Sequence, residues 1–289
     1  MGKACVGISL ESNLTYDSLA DELERACADG FDAVEMNLSA FPFIIAGELQ
    51  PRVAEYVRSV VQRYPLKLTM HAGYGLDLRN LEEYAMHKNV LMASIDACTL
   101  LGADRLNLHF EEESMFTARE RAFFQAHQEA ADYAMERGVM LNIENIEVEY
   151  ADKAADFVRR LDHKNVGMTL DLGHLYLSAC YFGYDYPDTV RRCAPLVRHV
   201  HVNDNVGIFE PMRVENHRLY DTLSMGYRTM FGRGDIHIAP FWGKAPLEEG
   251  MRILKDAGFS GIWLCEYKSR SFLPFNREVQ QRVRRIAEQ

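Results

Sequence analysis

Along the chain, short apolar runs alternate with longer amphipathic stretches. The runs are ACVGISL (4–10), FDAVEMNL (31–38), LKLTMHA (66–72), ADRLNLHF (103–110), GVMLNIEN (138–145), NVGMTLDL (165–172), VRHVHVND (197–204) and GIWLCEYK (261–268). Each has strand length, and such runs fit parallel strands covered on both faces. Between them the patterning predicts helices near 16–29, 48–63, 81–101, 117–137, 151–161, 173–193, 246–257 and 275–287. The stretch 117–137 sets Phe123, His127, Ala130 and Ala134 on one face at the helical period. ADGFDAV, ERGVML and DAGFSGI each read as a helix end, a glycine cap and a strand start. Eight strands, each followed by a helix, predict an α/β fold: one (β/α)8 barrel of the TIM type spanning residues 1–289. The competing doubly wound sheet usually carries a glycine-rich turn after its first strand. Here that strand leads into SLESNLTYDS, which has no glycine. The one long irregular piece, 203–243, connects the seventh strand to the seventh helix. Its Phe209, Met212, Tyr227, Phe231 and Trp242 argue that it is ordered and functional.

The strand ends carry the chemistry. The third run ends in His71, the fourth in His109, the fifth in Glu144 and the sixth in Asp171, with His174 three residues on. The seventh ends in His201 and the eighth in Glu266. Taken singly, Asp171 reads as a helix cap and His201 as a satisfied core histidine. Together they lie on the rim where such barrels place their sites, and burying so many ionisable groups without a ligand is costly. Glu144, Asp171, His201 and Glu266 come from four consecutive strands. Three carboxylates and one imidazole suit one divalent cation, Mn²⁺ or Mg²⁺ first, with Co²⁺, Fe²⁺ and Zn²⁺ as further candidates. Gly173 is read as letting the backbone turn between Asp171 and His174.

At NIEN with Glu144, LDLGH with Asp171 and His174, HVHVND with His201 and WLCEYK with Glu266, the chain resembles the xylose isomerase-like TIM-barrel superfamily. That superfamily holds sugar isomerases and epimerases together with the endonuclease IV family of abasic-site nucleases. The epimerase branch implies a single cation on Glu144, Asp171, His201 and Glu266, with the two glutamates as acid/base groups and His174 touching substrate. Its second acidic substrate contact falls on Tyr150 here, which leaves Glu147 or Glu149 as substitutes. The nuclease branch implies three zinc ions and recruits His71 and His109 as well. It also wants an Asp-x-His ahead of a GxGxI segment, where this chain has Gly226 and Arg228. A trinuclear site is therefore not expected.

The resulting expectation is a metal-dependent ketose isomerase or epimerase, working through an enediolate that the cation stabilises. Glu144 and Glu266 would move the proton, while His71, His109 and His174 meet substrate oxygens. FGRGDIH offers Arg233, Asp235 and His237 near the rim, with Arg233 a candidate for a substrate phosphate or carboxylate. Lys268, two residues past Glu266, should share its strand face and reach substrate. A dehydratase is close in chemistry, because the same enolate can expel a β-hydroxyl.

Composition narrows the partners. A net charge of −10 counts against nucleic acid, whose binding rests on Lys and Arg. The six cysteines are scattered without a C-x-x-C, which fits reduced thiols in a cytoplasm. MGKACVGISLES lacks the apolar core of a signal peptide, and Val6 breaks a myristoylation pattern. No uninterrupted apolar run approaches the roughly 18 residues of a membrane span. The expected partner is a small sugar or sugar-derived substrate, with the oligomeric state left open, a homo-oligomer included.

Overall fold

The computed structural model describes residues 2–289. Eight parallel strands close into a barrel: β1 (Cys5–Ser9), β2 (Ala33–Asn37), β5 (Lys67–His71), β6 (Arg105–His109), β7 (Met140–Glu144), β8 (Val166–Asp171), β9 (Val197–Val202) and β10 (Ile262–Cys265). The ring order is β1-β10-β9-β8-β7-β6-β5-β2, so each strand neighbours the next in sequence. The helices α1 (Tyr16–Asp29), α2 (Pro51–Val61), α3 (Tyr84–Leu101), α4 (Thr117–Glu136) and α5 (Ala151–Leu161) follow the first five barrel strands. After β8 come α6 (Leu172–Phe182) and α7 (Tyr186–Cys193), and β10 is flanked by α11 (Leu247–Asp256) and α12 (Asn276–Glu288). This is the (β/α)8 barrel that the alternation of runs predicts.

Two predicted helices are corrected. The stretch 173–193 is two helices, because Gly183 takes a left-handed φ of 75° and ends the first. Asp185 then caps the second, accepting from the Asp188 amide at 2.8 Å, with a proline in the first turn. The stretch 48–63 begins as a helix only at Pro51. Ahead of it a small hairpin pairs β3 (Ile44–Ile45) with β4 (Glu48–Leu49) across Ala46 and Gly47, both at positive φ. The 203–243 connection carries three short helices, α8 (Met212–Glu215), α9 (His217–Tyr220) and α10 (Met225–Phe231). Phe209 and Tyr220 are buried, whereas Phe231 and Trp242 are exposed. Among the described residues, no helix is long and apolar enough to cross a membrane.

The apolar core lies between the barrel and its helices, filled by Val34, Met36, Leu106, Leu141, Ile143 and Met168 from the strands and Leu23, Ile95 and Phe123 from the helices. The lumen differs. At its N-terminal end Ala33, Ile262 and Leu264 pack together. One layer up it is polar: Glu35, Thr69, Asn107, Asn142, Thr169 and His199 are all buried. Asn142 and Thr169 donate to the Asn107 carbonyl at 3.1 and 2.7 Å, and Thr69 donates to Glu35 at 2.8 Å. This layer supports the rim.

His127 of α4 is buried against Phe123 and Phe157, with Nδ1 2.8 Å from the Phe123 carbonyl oxygen. Burial lowers its pKa from 6.5 to about 4. Above pH 6.5 both folded and unfolded chains hold it neutral. As pH falls, the unfolded chain takes up a proton that the folded chain refuses, so stability is lost between about 6.5 and 4. Replacing His127→Leu should remove a loss of up to about 3 kcal/mol. Urea unfolding at pH 7 and pH 4 should show the variant gaining on wild type by that amount.

Candidate active site at the barrel rim

The strand period of two carries the lumen side chains of the polar layer up to the rim. From Thr69, Asn107, Asn142, Thr169 and His199 it leads to His71, His109, Glu144, Asp171 and His201. Glu266 follows β10 directly.

Glu144 is the hub. Its Oε1 lies 3.0 Å from His201 Nδ1 and 3.6 Å from His174 Nδ1. Its Oε2 lies 3.1 Å from His71 Nε2 and 3.9 Å from His109 Nε2. Glu266 Oε2 is 3.0 Å from the same His201 nitrogen and has no hydrogen-bond partner among the described residues. Asp171 does what each of its two readings asks. One carboxylate oxygen caps α6 by accepting from the His174 amide at 2.6 Å. The other accepts from Asn203 at 2.6 Å and lies 3.8 Å from His201 Nδ1. Asn145 clamps the Asp171 backbone from both sides, at 3.0 Å each.

The four predicted ligands Glu144, Asp171, His201 and Glu266 each present an atom within 4.8 Å of all the others. This donor set fits a divalent cation: hard oxygens, one imidazole, and a buried carboxylate oxygen without a partner. A second group, His71, His109 and Glu144, shares the hub. A third combines His174 with Asp235 and His237. Above them opens a cavity of about 960 Å³, lined by His71, His109, His174 and Glu266 among others. It is of ligand-binding size.

A family model described as xylose isomerase-like TIM barrel matches residues 23–289. The chain belongs to this family. An uncharacterised protein of Methanocaldococcus jannaschii is 20% identical over 275 residues, covering 88% of this chain and 80% of that one. Among solved structures, a D-tagatose 3-epimerase-like protein aligns over 98% of each chain with a TM-score of 0.71 and 18% identity. A xylose isomerase-like TIM barrel protein from Mycobacterium smegmatis, crystallised with magnesium, aligns with a TM-score of 0.72 and 16% identity. That alignment covers 98% of this chain and 96% of the other.

The third group corrects an expectation. On sequence, Gly226 and Arg228 stand where an Asp-x-His was sought. Both belong to α10, and Arg228 turns its Nη1 to the Tyr220 hydroxyl and the Asp235 carbonyl. The chain then reverses through Gly232 and Gly234, at φ 62° and 70°. Asp235 and His237, inside FGRGDIH, are the carboxylate and imidazole that reach His174 instead. Asp235 Oδ2 is 3.4 Å from His174 Nε2 and 2.9 Å from His237 Nε2, and the two imidazole nitrogens are 3.3 Å apart. His237 holds φ 41°, a conformation uncommon outside glycine and frequent at functional sites.

Burial disfavours every charge in this cluster, and the partners decide which charges survive. For Glu144, burial is outweighed by His201 and His71, which hold its carboxyl well below the usual range. For Glu266, burial is outweighed by His201 and His237, leaving it at about 2. Asp171 goes the other way, raised to about 6 by burial. The lost hydration lowers His71 and His237, yet Glu144 lifts the first to about 9 and Asp235 the second to about 10. Carboxylates and imidazoliums thus neutralise one another, and a cation would replace those protons.

The remaining expected residues are placed as follows. Lys268 is exposed and lines the cavity, though β10 ends at Cys265, before the alternation reaches it. Arg233 is not among the lining residues. Its side chain is half exposed and reaches Glu210 at 3.4 Å. Arg213 and Arg228 line the cavity instead. Glu147 also lines it, held by Arg213 at 2.8 Å, whereas Glu149 is tied to Lys153 at 2.8 Å. Sequence reading missed Glu35, Asn145 and Asn203. The signal for Glu35 is its lumen parity on β2, level with Thr69 and one layer below the rim.

Gly173 also has a different reason from the one expected. It sits in the first turn of α6 without positive φ, so no special turn requires it. A Cβ there would meet the Asn203 side chain, with Cγ at 2.7 Å and the backbone oxygen at 3.1 Å. The glycine makes room for the amide that binds Asp171. Changing Gly173→Ala should displace Asn203 and cost ~1–3 kcal/mol. Thermal melting checks this against Gly138→Ala, a position whose Cβ meets nothing within 4 Å but whose φ of 69° carries only backbone strain.

Proposed function

We propose that this chain is a divalent-metal-dependent sugar isomerase or epimerase acting on a ketose. The observation that carries the reading is the convergence of Glu144, Asp171, His201 and Glu266 beneath an open cavity. The epimerase-like fold neighbour supports the substrate class, and the magnesium-bound neighbour supports the cation. A cation held by these four residues supplies a Lewis acid for a carbonyl and its neighbouring hydroxyl.

The chain's own groups handle the proton. Glu266 faces the cavity, so its carboxylate is the base that can take a proton from the carbon beside the carbonyl. Glu144 lies three strands away and is fully buried, in contact with His71, His109 and His174. Those imidazoles line the cavity and connect Glu144 to it, giving a second route for returning a proton from a different side. Return to the same carbon on the opposite face is epimerisation, and return at the adjacent carbon is isomerisation.

The three ligand groups around Glu144 and His174 favour a second reading, a trinuclear site of the kind that the abasic-site nuclease branch implies. Elemental analysis of the purified protein separates the two. The proposed function predicts one Mn, Mg, Co or Zn per chain, lost in Glu144→Gln, and ketose-dependent proton exchange from D₂O. Glu266→Gln should lower that exchange by about 10²–10⁴-fold. Close to three zinc ions per chain, with cleavage of abasic DNA and no exchange, would replace the sugar-enzyme reading by the nuclease one.

A further inference from the structure

We propose that Glu35 is a positioning residue that sets the tautomer of His201, keeping its Nδ1 lone pair free for the cation. The inference rests on the cation-site reading above and concerns a residue outside the four ligands.

Glu35 lies on β2, across the lumen from His201, and is 1% exposed. Its Oε2 accepts from Thr69 Oγ1 at 2.8 Å and from Asn107 Nδ2. Asn107 cannot turn its amide round, because its carbonyl already accepts from Thr169 and Asn142 at 2.7 and 3.1 Å. Oε2 is therefore occupied by donors from β5 and β6, with His199 Nε2 3.3 Å away. Oε1 is left facing His201 Nε2 at 3.0 Å. Neither atom makes a hydrogen bond among the described residues, so the facing pair are two buried polar atoms with no other partner.

A neutral imidazole carries one N–H and one lone pair. A carboxylate only accepts, so Glu35 holds the N–H on Nε2. The lone pair then falls on Nδ1, which faces Glu144 and Glu266 at 3.0 Å and Asp171 at 3.8 Å. Without Glu35 the preference reverses. Three carboxylates around Nδ1 would draw the proton there, and the imidazole would offer the cation an N–H in place of a ligand. Glutamine at position 35 enforces that reversal. Its carbonyl is needed by Thr69 and Asn107, so its amide group would donate to Nε2 and push the proton onto Nδ1.

The test is Mn²⁺ binding by electron paramagnetic resonance titration of the full chain, wild type against Glu35→Gln, with thermal melting of both in chelator. The expected result is a Kd about 10–100-fold weaker in Glu35→Gln, with the chelated melting curve still cooperative. A second measurement does not depend on the variant folding. Long-range ¹H–¹⁵N spectra of Mg²⁺-loaded wild type should show His201 protonated on Nε2. A Glu35→Gln affinity within threefold of a wild type that binds Mn²⁺ overturns the positioning role alone. A His201 protonated on Nδ1 overturns it as well. A wild type that binds no Mn²⁺ removes the cation-site reading and this inference together.

Discussion

Every second residue of eight parallel strands points into one narrow lumen, and this single constraint organises the molecule. In a closed ring no strand can slip by one residue without exchanging lumen and outer face along its whole length. The outer positions of this barrel are occupied mostly by Val, Ile, Leu and Met, with Trp263 and Cys265 on β10, and these bury against the helices. That apolar face locks the parity. Once it is locked, Thr69–His71, Asn107–His109, Asn142–Glu144, Thr169–Asp171 and His199–His201 must all project inward at two heights. Convergence of the rim groups needs no further device. The hydrophobic face positions the polar one.

A polar lumen has a cost that an apolar one avoids, since each buried group needs a partner. The lower layer meets part of this demand with a chain of donors and acceptors running from Asn142 and Thr169 through Asn107 to Glu35, while both His199 nitrogens and Glu35 Oε1 make no hydrogen bond among the described residues. The rim meets it largely by pairing acids with imidazoles around Glu144. The two solutions differ in kind. Amide and hydroxyl bonds have fixed partners and give a rigid floor. Acid–imidazole pairs hold exchangeable protons, which a cation or a substrate can displace. Rigidity below and exchangeability above are what a binding site needs from its support.

How much of this was legible follows from how regular each part is. The strand-end residues could be read because one parity and one position recur in six strands, so each supports the others. Helix α4 could be read from its face of Phe123, His127, Ala130 and Ala134, all buried. Glu35 escaped because its strand reaches the rim at Asn37, so no carboxylate stands at its end. The break at Gly183 escaped because the apolar pattern on either side continues across it. Asp235 and His237 could be set near the rim from FGRGDIH, but their contact with His174 could not be read. They follow two glycines at positive φ in a segment with no period, and the isolated bridge between Asp204 and Ile238 is what draws them to the rim. Periodicity cannot locate a residue whose position is set by a turn.

Asp171 shows why helix capping and ligand binding are not competing explanations here. A carboxylate that caps a helix is held by an amide whose direction is fixed by the helix itself. Here α6 starts at the last residue of β8, so the cap and the rim are the same place. The His174 amide pins Oδ1, and Asn203 pins Oδ2 from β9's extension. The side chain is then immobile before any ligand arrives, and little conformational entropy is left to lose on binding. The apparent choice between a structural and a functional aspartate dissolves, because the structural contacts are what preorganise the functional one.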